Sequence, residues 1–228
     1  IVRPDAIGDV MLMIPLINQI KKHFQGASVD VLLQEYTRDL LQNHPSVNGV
    51  ICDWRKSGKA KGVKGFWQYS QWLKKQRYDV VIFSYIDAYY ASLMWFAGIP
   101  IRIGDKNRLL IQFFLNRGVT QNFRDVLKHE VEQNMTLLKG LYVQATDPFI
   151  MDLNYESASI KKATKILKEN QWDGEKLIGI HPTTGGGNRA WSPQKYSDLI
   201  NHFNLPTILV SRTQLGTINH TLMSIDII

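Results

Sequence analysis

The chain has 228 residues, with 27 lysine and arginine residues against 20 aspartate and glutamate residues, and a net charge of +7. Its hydrophobic fraction of 44% and charged fraction of 21% are typical of a folded globular protein, which excludes an intrinsically disordered chain. The single cysteine, Cys52, excludes a disulfide scaffold and a cysteine-based zinc site. No apolar run reaches the ~18 residues that a membrane-spanning helix needs.

Helical and strand-like patterns alternate along the chain. Apolar residues at helical spacing predict helices over 10–24, 37–43, 66–75, 88–97, 129–142, 157–169 and 193–203. Short apolar runs predict strands over 28–33, 49–52, 78–84, 101–104, 176–180 and 207–210, while 58–65 has the glycine and lysine content of a loop. The run over 78–84 is almost continuously apolar, as expected for a strand buried on both faces of a parallel sheet. This alternation predicts an α/β fold with parallel sheets and right-handed crossovers.

The pattern breaks over 148–157, which predicts one domain over 1–150 and a second over 151–228. Both ends of the sequence interrupt an element. Ile1 to Arg3 is shorter than a typical strand of about five residues, and the chain stops on an apolar pattern without a turn or cap signal. We therefore expect the sequence to be a fragment of a longer protein whose second domain is incomplete.

The positive charge is concentrated in the residues from Trp54 to Tyr78, called the basic segment below. This segment contains eight lysine and arginine residues and no acidic residue, so it carries +8 and the rest of the chain sums to −1. Aromatic residues alternate with the cations. The pattern favours an anionic partner such as a membrane interface or the phosphates of a glycolipid, and less so stacked nucleic-acid bases. The alternative is a solvated helix face whose aromatic residues pack inward.

A strand end meets a helix start in the motif Arg3-Pro-Asp-Ala-Ile-Gly-Asp9. Ligands of open α/β sheets bind beyond the carboxyl ends of the strands, where Asp9 falls. A carboxylate at that place can take a proton from an attacking hydroxyl. The alternative is that Asp9 caps the following helix through N–H groups of its first turn.

A second motif, running from His181 to Pro193, combines two threonines, three glycines and Arg189 between a strand and a helix. Glycines let backbone N–H groups approach an anion, hydroxyls add donors, and a guanidinium matches phosphate oxygens. Ser192 followed by Pro193 is a strong helix-start signal, and a helix N-terminus adds positive potential. The motif favours a phosphate cradle over its alternative, a flexible connecting loop.

Three motifs in this order resemble the heptosyltransferase-like glycosyltransferases of family 9, which act in lipopolysaccharide assembly. The first is Asp5-Ala-Ile-Gly-Asp9 with Pro15 behind it. The second is Ala97-Gly-Ile-Pro-Ile-Arg-Ile-Gly104, followed downstream by His129-Glu-Val-Glu-Gln-Asn-Met. The third is His181-Pro-Thr-Thr-Gly-Gly-Gly-Asn-Arg-Ala-Trp191. The resemblance extends through about residue 211, and the family continues well beyond the end of this sequence.

The resemblance implies a GT-B fold with two Rossmann-like domains, the N-terminal one for the acceptor and the C-terminal one for the nucleotide-sugar donor. It implies an inverting transfer of heptose or a related sugar, from a donor such as ADP-heptose to the lipopolysaccharide inner core, without metal or cofactor. Asp9 corresponds to the general base of the family. The donor diphosphate would be held by Thr183, Thr184, Gly185, Gly186 and Arg189.

The resemblance also assigns an acceptor-binding role to the first part of the basic segment. There, anionic core sugars and lipid A phosphates would meet Arg55, Lys56, Lys59, Lys61 and Lys64. It implies a cytoplasmic enzyme in peripheral contact with the inner membrane and without a nucleic-acid partner. A second hypothesis remains open from the charge pattern alone, in which the chain is a non-enzymatic fragment that binds an anionic glycolipid or a membrane surface.

Overall fold

The structure of the protein is a computed structural model. It describes residues 1–107, 110–122, 128–146, 148–170, 172, 174, 178–180 and 191–203. The chain divides into two compact units, Ile1–Glu156 and Ser157–Ile228. The division falls at the end of the interval 148–157 in which the sequence pattern breaks, and the roles assigned to the two domains stay a prediction.

The described part of the first unit contains five short strands, all paired in parallel. They are β1 (Asp30–Leu33), β2 (Gly49–Cys52), β3 (Val80–Ile82), β4 (Ile101–Asp105) and β5 (Arg117–Val119). β1 pairs with β2, and β3, β4 and β5 pair in that order. Val2 joins the two groups, because it forms parallel bridges with Leu32 and with Phe83. Across the sheet the strands lie in the order β2, β1, residues 1–3, β3, β4 and β5. When residues 1–3 are numbered as the first strand and β1 to β5 as the second to sixth, this order is 3-2-1-4-5-6, which is the strand order of dinucleotide-binding folds.

Helices cover both faces of this sheet. One face carries α1 (Ile7–Met11), α2 (Ile14–His23) and α5 (Glu130–Met135), and the other carries α3 (Gly62–Lys75) and α4 (Ala88–Phe96). A hydrophobic core lies on each face of the sheet, and successive side chains of β3 point alternately into the two cores. Ile82 packs in the core beneath α1, α2 and α5, while Val81 and the following Phe83 pack in the core beneath α3 and α4. The two-sided burial and the parallel pairing predicted from the sequence are thereby confirmed.

The single helix predicted over 10–24 is wrong, because the chain forms two helices there that meet at Leu12 and Met13. Pro15 is the physical reason. Its ring removes the N–H that an uninterrupted helix would use and clashes with the preceding turn, so proline is tolerated only in the first turn of a helix. In the structure Pro15 stands in the first turn of α2.

Other boundaries also differ from the sequence prediction. α3 begins at Gly62, so part of the predicted loop over 58–65 is helical. The predicted helix over 37–43 overlaps the 3₁₀ segment Glu35–Leu40, and the predicted helix over 129–142 includes the 3₁₀ segment Thr136–Leu141. β5 was not predicted at all. Of the strand predicted over 176–180, the described residues 178–180 have no strand conformation, and the strand predicted over 207–210 lies outside the described residues.

The described helices of the second unit are α6 (Ser157–Glu169) and α7 (Pro193–Phe203). Both have the bounds predicted from the sequence, and Pro193 is the first helical residue, as the helix-start signal indicates. Among the helices in the described ranges, none is both long enough and apolar enough to cross a bilayer.

A tight contact in the core of the first unit gives a stability prediction. A β-carbon at Gly140 would lie 2.5 Å from Cγ2 of Ile103, so this position requires glycine. We expect Gly140→Ala to lower the free energy of unfolding by about 1–3 kcal/mol, because the buried strand must shift. Urea denaturation measures this loss. The matched control is Gly26→Ala, where a β-carbon meets nothing within 4 Å, and equal losses in the two variants would contradict the prediction.

Candidate active site

The candidate active site lies where the strand order of the sheet reverses. The first residues and β3 are neighbours in the sheet, and the strand order runs in opposite directions on either side of them. In open α/β sheets, ligands bind at such a point, beyond the carboxyl ends of the strands. Arg3 directly follows Val2, and Ser84 directly follows Phe83. Both residues therefore stand at the edge of the sheet where a ligand is expected.

Arg3 is the centre of a carboxylate cluster that consists of Asp5, Asp9 and Glu130. Its side chain is only 5% exposed. Nε lies 3.2 Å from Oδ2 of Asp5, and Nη2 lies 3.1 Å from Oδ1 of Asp9 and also donates to Oε1 of Glu130. Because one guanidinium faces three carboxylates, the fully ionised cluster carries an excess of negative charge.

This excess of negative charge has an effect on Asp5. Burial raises the pKa of its carboxyl above the usual value, more than the positive charge of Arg3 lowers it. The charges of Asp9 and Glu130 raise the pKa further. The site therefore favours proton uptake at Asp5, in a cluster that Arg3 neutralises only in part.

Asp9 is the third residue of α1 and the most open member of the cluster. Its Oδ1 pairs with Arg3, its Oδ2 accepts the backbone N–H of Ala6 at 3.3 Å, and its side chain is 36% exposed. Asp9 therefore does cap α1, but through the backbone N–H of Ala6, the residue before the helix, and not through an N–H of the first turn. The same contacts orient a carboxylate that solvent can reach. Its role as general base stays a prediction.

Besides Glu130, helix α5 supplies the side chain of Asn134 to this edge of the sheet. Asn134 accepts a hydrogen bond from the hydroxyl of Ser84 at 2.8 Å and donates to the carbonyl of Leu12 at 3.1 Å. Nη1 of Arg3 donates to the carbonyl of Ser84 at 2.5 Å. Glu130 and Asn134 are four residues apart and share one face of the helix. Two motifs that lie far apart in the sequence therefore meet at the cluster.

A buried carboxylate, that of Asp53, holds the turn after β2 that carries Arg55 and Lys56. Asp53 is 1% exposed, and its two oxygens accept the backbone N–H groups of Arg55 and Lys56, each at 3.1 Å. The hydroxyl of Tyr90 donates to Oδ2 of Asp53 at 2.7 Å. This network fixes the backbone of the turn, so the α-carbons of Arg55 and Lys56 have defined positions.

Arg55 is also held through its side chain. Its Nη1 lies 2.6 Å from Oδ2 of Asp87, and its guanidinium lies 4.5 Å from the ring centroid of Tyr89. Lys56 is close enough to the cluster to lower the pKa of Asp5, although burial raises that pKa overall. The structure therefore brings Arg55 and Lys56 to the side of the sheet where Asp9 lies.

The other predicted site residues lie elsewhere. Lys61 immediately precedes α3, Lys64 lies in its first turn, and Lys59 lies beside β2. All three are exposed, and none of them forms an ion pair within the described residues. The predicted donor-phosphate residues lie outside the described residues, namely Thr183, Thr184, Gly185, Gly186 and Arg189.

Most aromatic residues of the basic segment pack inward, as the alternative interpretation expected. Tyr69 is fully buried, and Trp54 stacks on it with ring centroids 4.7 Å apart. Trp72 lies against both rings. Trp67 differs, because 53% of its surface is exposed.

The buried hydrogen bond of Tyr90 supports a second stability prediction. We expect Tyr90→Phe to lower the free energy of unfolding by about 1–3 kcal/mol, because it removes a donor from the buried carboxylate of Asp53. Thermal or urea denaturation measures the loss. Tyr36→Phe is the matched control, since the hydroxyl of Tyr36 donates to the backbone of Asp5 at an exposed site. Its cost should stay within about 0.5 kcal/mol; a similar cost for both variants would refute the role given to the buried bond.

The sequence model of Glycosyltransferase family 9 (heptosyltransferase) matches residues 66–210, which is more than half of the chain. The chain belongs to glycosyltransferase family 9. Lipopolysaccharide heptosyltransferase 3 of Escherichia coli is 24% identical over 203 residues, which cover 85% of this chain and 56% of that protein. A protein of Haemophilus influenzae is 26% identical over 206 residues, which cover 88% of this chain and 58% of that protein. The chain thus spans little more than half the length of these family 9 relatives.

Solved structures of family 9 share the fold. A glycosyl transferase family 9 protein from Veillonella parvula superposes with a TM-score of 0.75 at 16% identity, over 89% of this chain and 57% of that chain. Escherichia coli ADP-heptose lps heptosyltransferase II gives 0.65 at 20% identity, over 89% of this chain and 60% of that chain. The predicted α/β fold of GT-B type is thereby confirmed.

Sequence reasoning missed several polar residues of this site, namely Arg3, Asp5, Asp53, Ser84, Glu130 and Asn134. Asp5, Glu130 and Asn134 stand inside motifs that carried the resemblance to family 9, and Arg3 stands beside one of them, so the signal for these residues was present. An acidic residue directly after a strand, as Asp53 is after β2, was a further signal. The pairing of Arg3 with Glu130 had no local sign in the sequence.

Proposed function

We propose that the protein is an inverting, metal-independent glycosyltransferase. It transfers heptose or a related sugar from a nucleotide sugar such as ADP-heptose to the lipopolysaccharide inner core. Membership of family 9 supports the reaction class. The observation that carries the proposal is the position of Asp9, an accessible carboxylate fixed by Arg3 at the switch point of the sheet.

In the proposed step, a carboxylate oxygen of Asp9 takes the proton of an acceptor hydroxyl. The hydroxyl oxygen then forms a bond to the anomeric carbon from the face opposite the nucleotide. The bond from that carbon to the diphosphate oxygen breaks, and the diphosphate leaves with the electron pair. Inversion follows because attack and departure occur on opposite faces. The partly exposed carboxylate of Asp9 is placed for this proton transfer.

The other charged groups of the site have distinct roles in this proposal. Arg3 orients the base, since it pairs with Asp9 from a buried position. Arg55 and Lys56 meet anionic groups of the acceptor near the base. On the donor side, Arg189 and the threonine and glycine residues before it would stabilise the charge that develops on the leaving diphosphate. Neither a metal nor a cofactor takes part in this proposed step.

Mass-spectrometric detection of sugar transfer tests the proposal. The full-length protein is mixed with a panel of nucleotide sugars and a lipopolysaccharide core acceptor. We expect a heptose-sized mass increase with ADP-heptose, and a full panel without any mass increase would refute the proposal. The second hypothesis, a non-enzymatic binder of anionic glycolipid, predicts binding that survives Asp9→Ala and Arg189→Ala together with no transfer at all.

A further inference from the structure

A closed ring of polar contacts links Asp9 to a buried amide of α5. Nη2 of Arg3 lies 3.1 Å from Oδ1 of Asp9, and Nη1 of the same guanidinium donates to the carbonyl of Ser84 at 2.5 Å. The hydroxyl of Ser84 donates to Oδ1 of Asn134 at 2.8 Å, and Nδ2 of Asn134 donates to the carbonyl of Leu12 at 3.1 Å. Leu12 ends α1, the helix that carries Asp9, so the contacts return to their starting point. These five residues are called the site ring below.

The partners of Asn134 require both functions of its amide. A backbone carbonyl only accepts hydrogen bonds, so the carbonyl of Leu12 needs a donor. The hydroxyl of Ser84 accepts Nη1 of Arg3 at 3.2 Å, so its proton is directed to an acceptor. Asn134 is fully buried. A side chain without a donor or without an acceptor would therefore leave a buried polar atom of the site ring without a partner, which is costly.

Helix α1 depends on contacts of this kind because it has only five residues. Isolated helices shorter than about 12–15 residues are marginal in water. Val10 is fully buried and holds one side of α1 in the core, but apolar packing is not directional. The directional contacts are those of Asp9 with Ala6 at the start of the helix and that of Asn134 with Leu12 at its end. Together they set the direction in which the carboxylate of Asp9 points.

Helix α5 is a firm anchor for the site ring. Val131 and Met135 fix it in the core between the sheet and the helices of this face. Glu130, four residues before Asn134, pairs with the same Nη2 of Arg3 that contacts Asp9. One face of α5 therefore holds both the guanidinium and the end of α1.

We propose that Asn134 is a positioning residue for the base Asp9. It holds the end of α1 directly and the guanidinium of Arg3 through Ser84, so a single buried amide sets the carboxylate relative to its cation. This role rests on the proposed function, in which Asp9 takes the proton of the acceptor hydroxyl. Proton transfer requires heavy atoms within about 2.6–3.2 Å, and a misplacement of about 1 Å can lower a rate about 100-fold. Asn134 itself touches neither substrate in this proposal.

Steady-state kinetics of the full-length protein tests this role. Asn134→Leu has the same number of side-chain heavy atoms but neither polar function, and it should lower the turnover number by about 10- to 100-fold. Both Michaelis constants should stay within about twofold, since the change affects the transition state and not substrate binding. Ser84→Ala opens the site ring at one side chain and should cause a smaller loss of the same kind, because the carbonyl of residue 84 still holds Arg3.

Asn116→Leu is the matched control. The amide of Asn116 also joins two backbone groups, since it donates to the carbonyl of Pro100 at 2.5 Å and accepts the N–H of Arg102 at 2.8 Å. These contacts lie where β4 begins, at the edge of the sheet opposite to the candidate site. Turnover of this variant should match that of the unmodified protein, and circular dichroism confirms that each variant is folded. Equal turnover of Asn134→Leu and Asn116→Leu would overturn the inference.

A double variant distinguishes positioning from a general structural defect. In the Asp9→Asn background, Asn134→Leu should lower the remaining turnover by less than about twofold, because residues that act as one unit are strongly non-additive. A defect that does not act through Asp9 would multiply the two losses, as independent sites do. Multiplied losses would therefore refute the positioning role.

Amide hydrogen exchange keeps this inference separate from the proposed function. The N–H groups of Val10 and Leu12 donate to carbonyls four residues earlier. In Asn134→Leu they should exchange at least about tenfold faster, because α1 opens locally at a lower free energy without its anchor. The N–H of Ala91 in α4, bonded in the same way, should keep its rate. Unchanged exchange at Val10 and Leu12 would overturn the inference. If the unmodified protein transfers no sugar but α1 exchanges faster in the variant, the proposed function fails while the anchoring by Asn134 stands.

Discussion

Asp9→Asn in the full-length protein is expected to lower the turnover number for sugar transfer by about 10²- to 10⁴-fold. The amide keeps the size of the side chain and an oxygen that can accept the N–H of Ala6, but it cannot take up the proton of the acceptor hydroxyl. The Michaelis constants for both substrates should change little, because the role proposed for Asp9 is in the transition state and not in substrate binding. Steady-state kinetics with saturating ADP-heptose measures the effect.

Asp39→Asn is the control for this experiment. It makes the same chemical change at an exposed aspartate in the 3₁₀ segment Glu35–Leu40, away from the carboxylate cluster. Its turnover should match that of the unmodified protein, and both variants should be folded by circular dichroism. If Asp9→Asn kept turnover within about twofold, the base would have to be another group, because general base catalysis is worth far more than that.

Arg3→Met is expected to lower the free energy of unfolding by about 3–5 kcal/mol, because removal of one partner leaves buried charge without compensation. Asp5, Asp9 and Glu130 would then face each other without the guanidinium that lies among them. Arg3→Lys should recover part of the loss, since an ammonium keeps the charge but cannot reach the same partners as a planar guanidinium. Urea denaturation followed by tryptophan fluorescence measures these changes in the first unit.

The control for this prediction is Arg38→Met. Arg38 pairs with Glu35 at 3.8 Å, and the two side chains are 50% and 67% exposed. Exposed pairs of this kind contribute only about 0–1 kcal/mol. A cost for Arg3→Met as small as that of Arg38→Met would show that the cluster does not depend on its central cation.

The loss in Arg3→Met should also depend on pH. Burial raises the pKa of Asp5 in spite of Arg3, so the folded state binds this proton more tightly than the unfolded chain does. Stability from this group is present below the unfolded pKa and is lost as pH rises through the folded value. Without Arg3 the folded pKa rises further, and the variant should lose more stability between mildly acidic and neutral pH than the unmodified protein. Parallel pH profiles would contradict this expectation.

The architecture was largely predictable because its signals are local. The apolar run over 78–84 predicted a strand buried on both faces, and the bounds of β2, α6 and α7 follow from short patterns. Two of the errors in the first unit have different causes. Pro15 splits a stretch with continuous helical spacing, and β5 is only three residues long and includes Arg117 and Gly118. A strand that short takes its conformation from β4 beside it more than from its own sequence.

The candidate site was predictable only in part. Asp9 could be selected because it follows a strand end, and the cations of the basic segment could be selected by charge. The contact between Arg3 and Glu130 joins residues that are 127 positions apart, and the contact between Arg3 and Ser84 joins residues 81 positions apart. Such contacts follow from the order of strands in the sheet, which no short stretch of sequence encodes.

The bridges of Val2 have a consequence for how the protein folds. β1 with β2, and β3 with β4 and β5, are each built from neighbouring parts of the chain, whereas Val2 must close long loops to reach Leu32 and Phe83. Closing a long loop lowers the conformational entropy of the chain before the new contacts stabilise it, so pairings between distant segments form slowly. The first residues would then insert between two preformed halves late in folding. Since Arg3 arrives with Val2, the contact between Arg3 and Asp9 forms only in that last step, and partly folded chains would lack the carboxylate cluster.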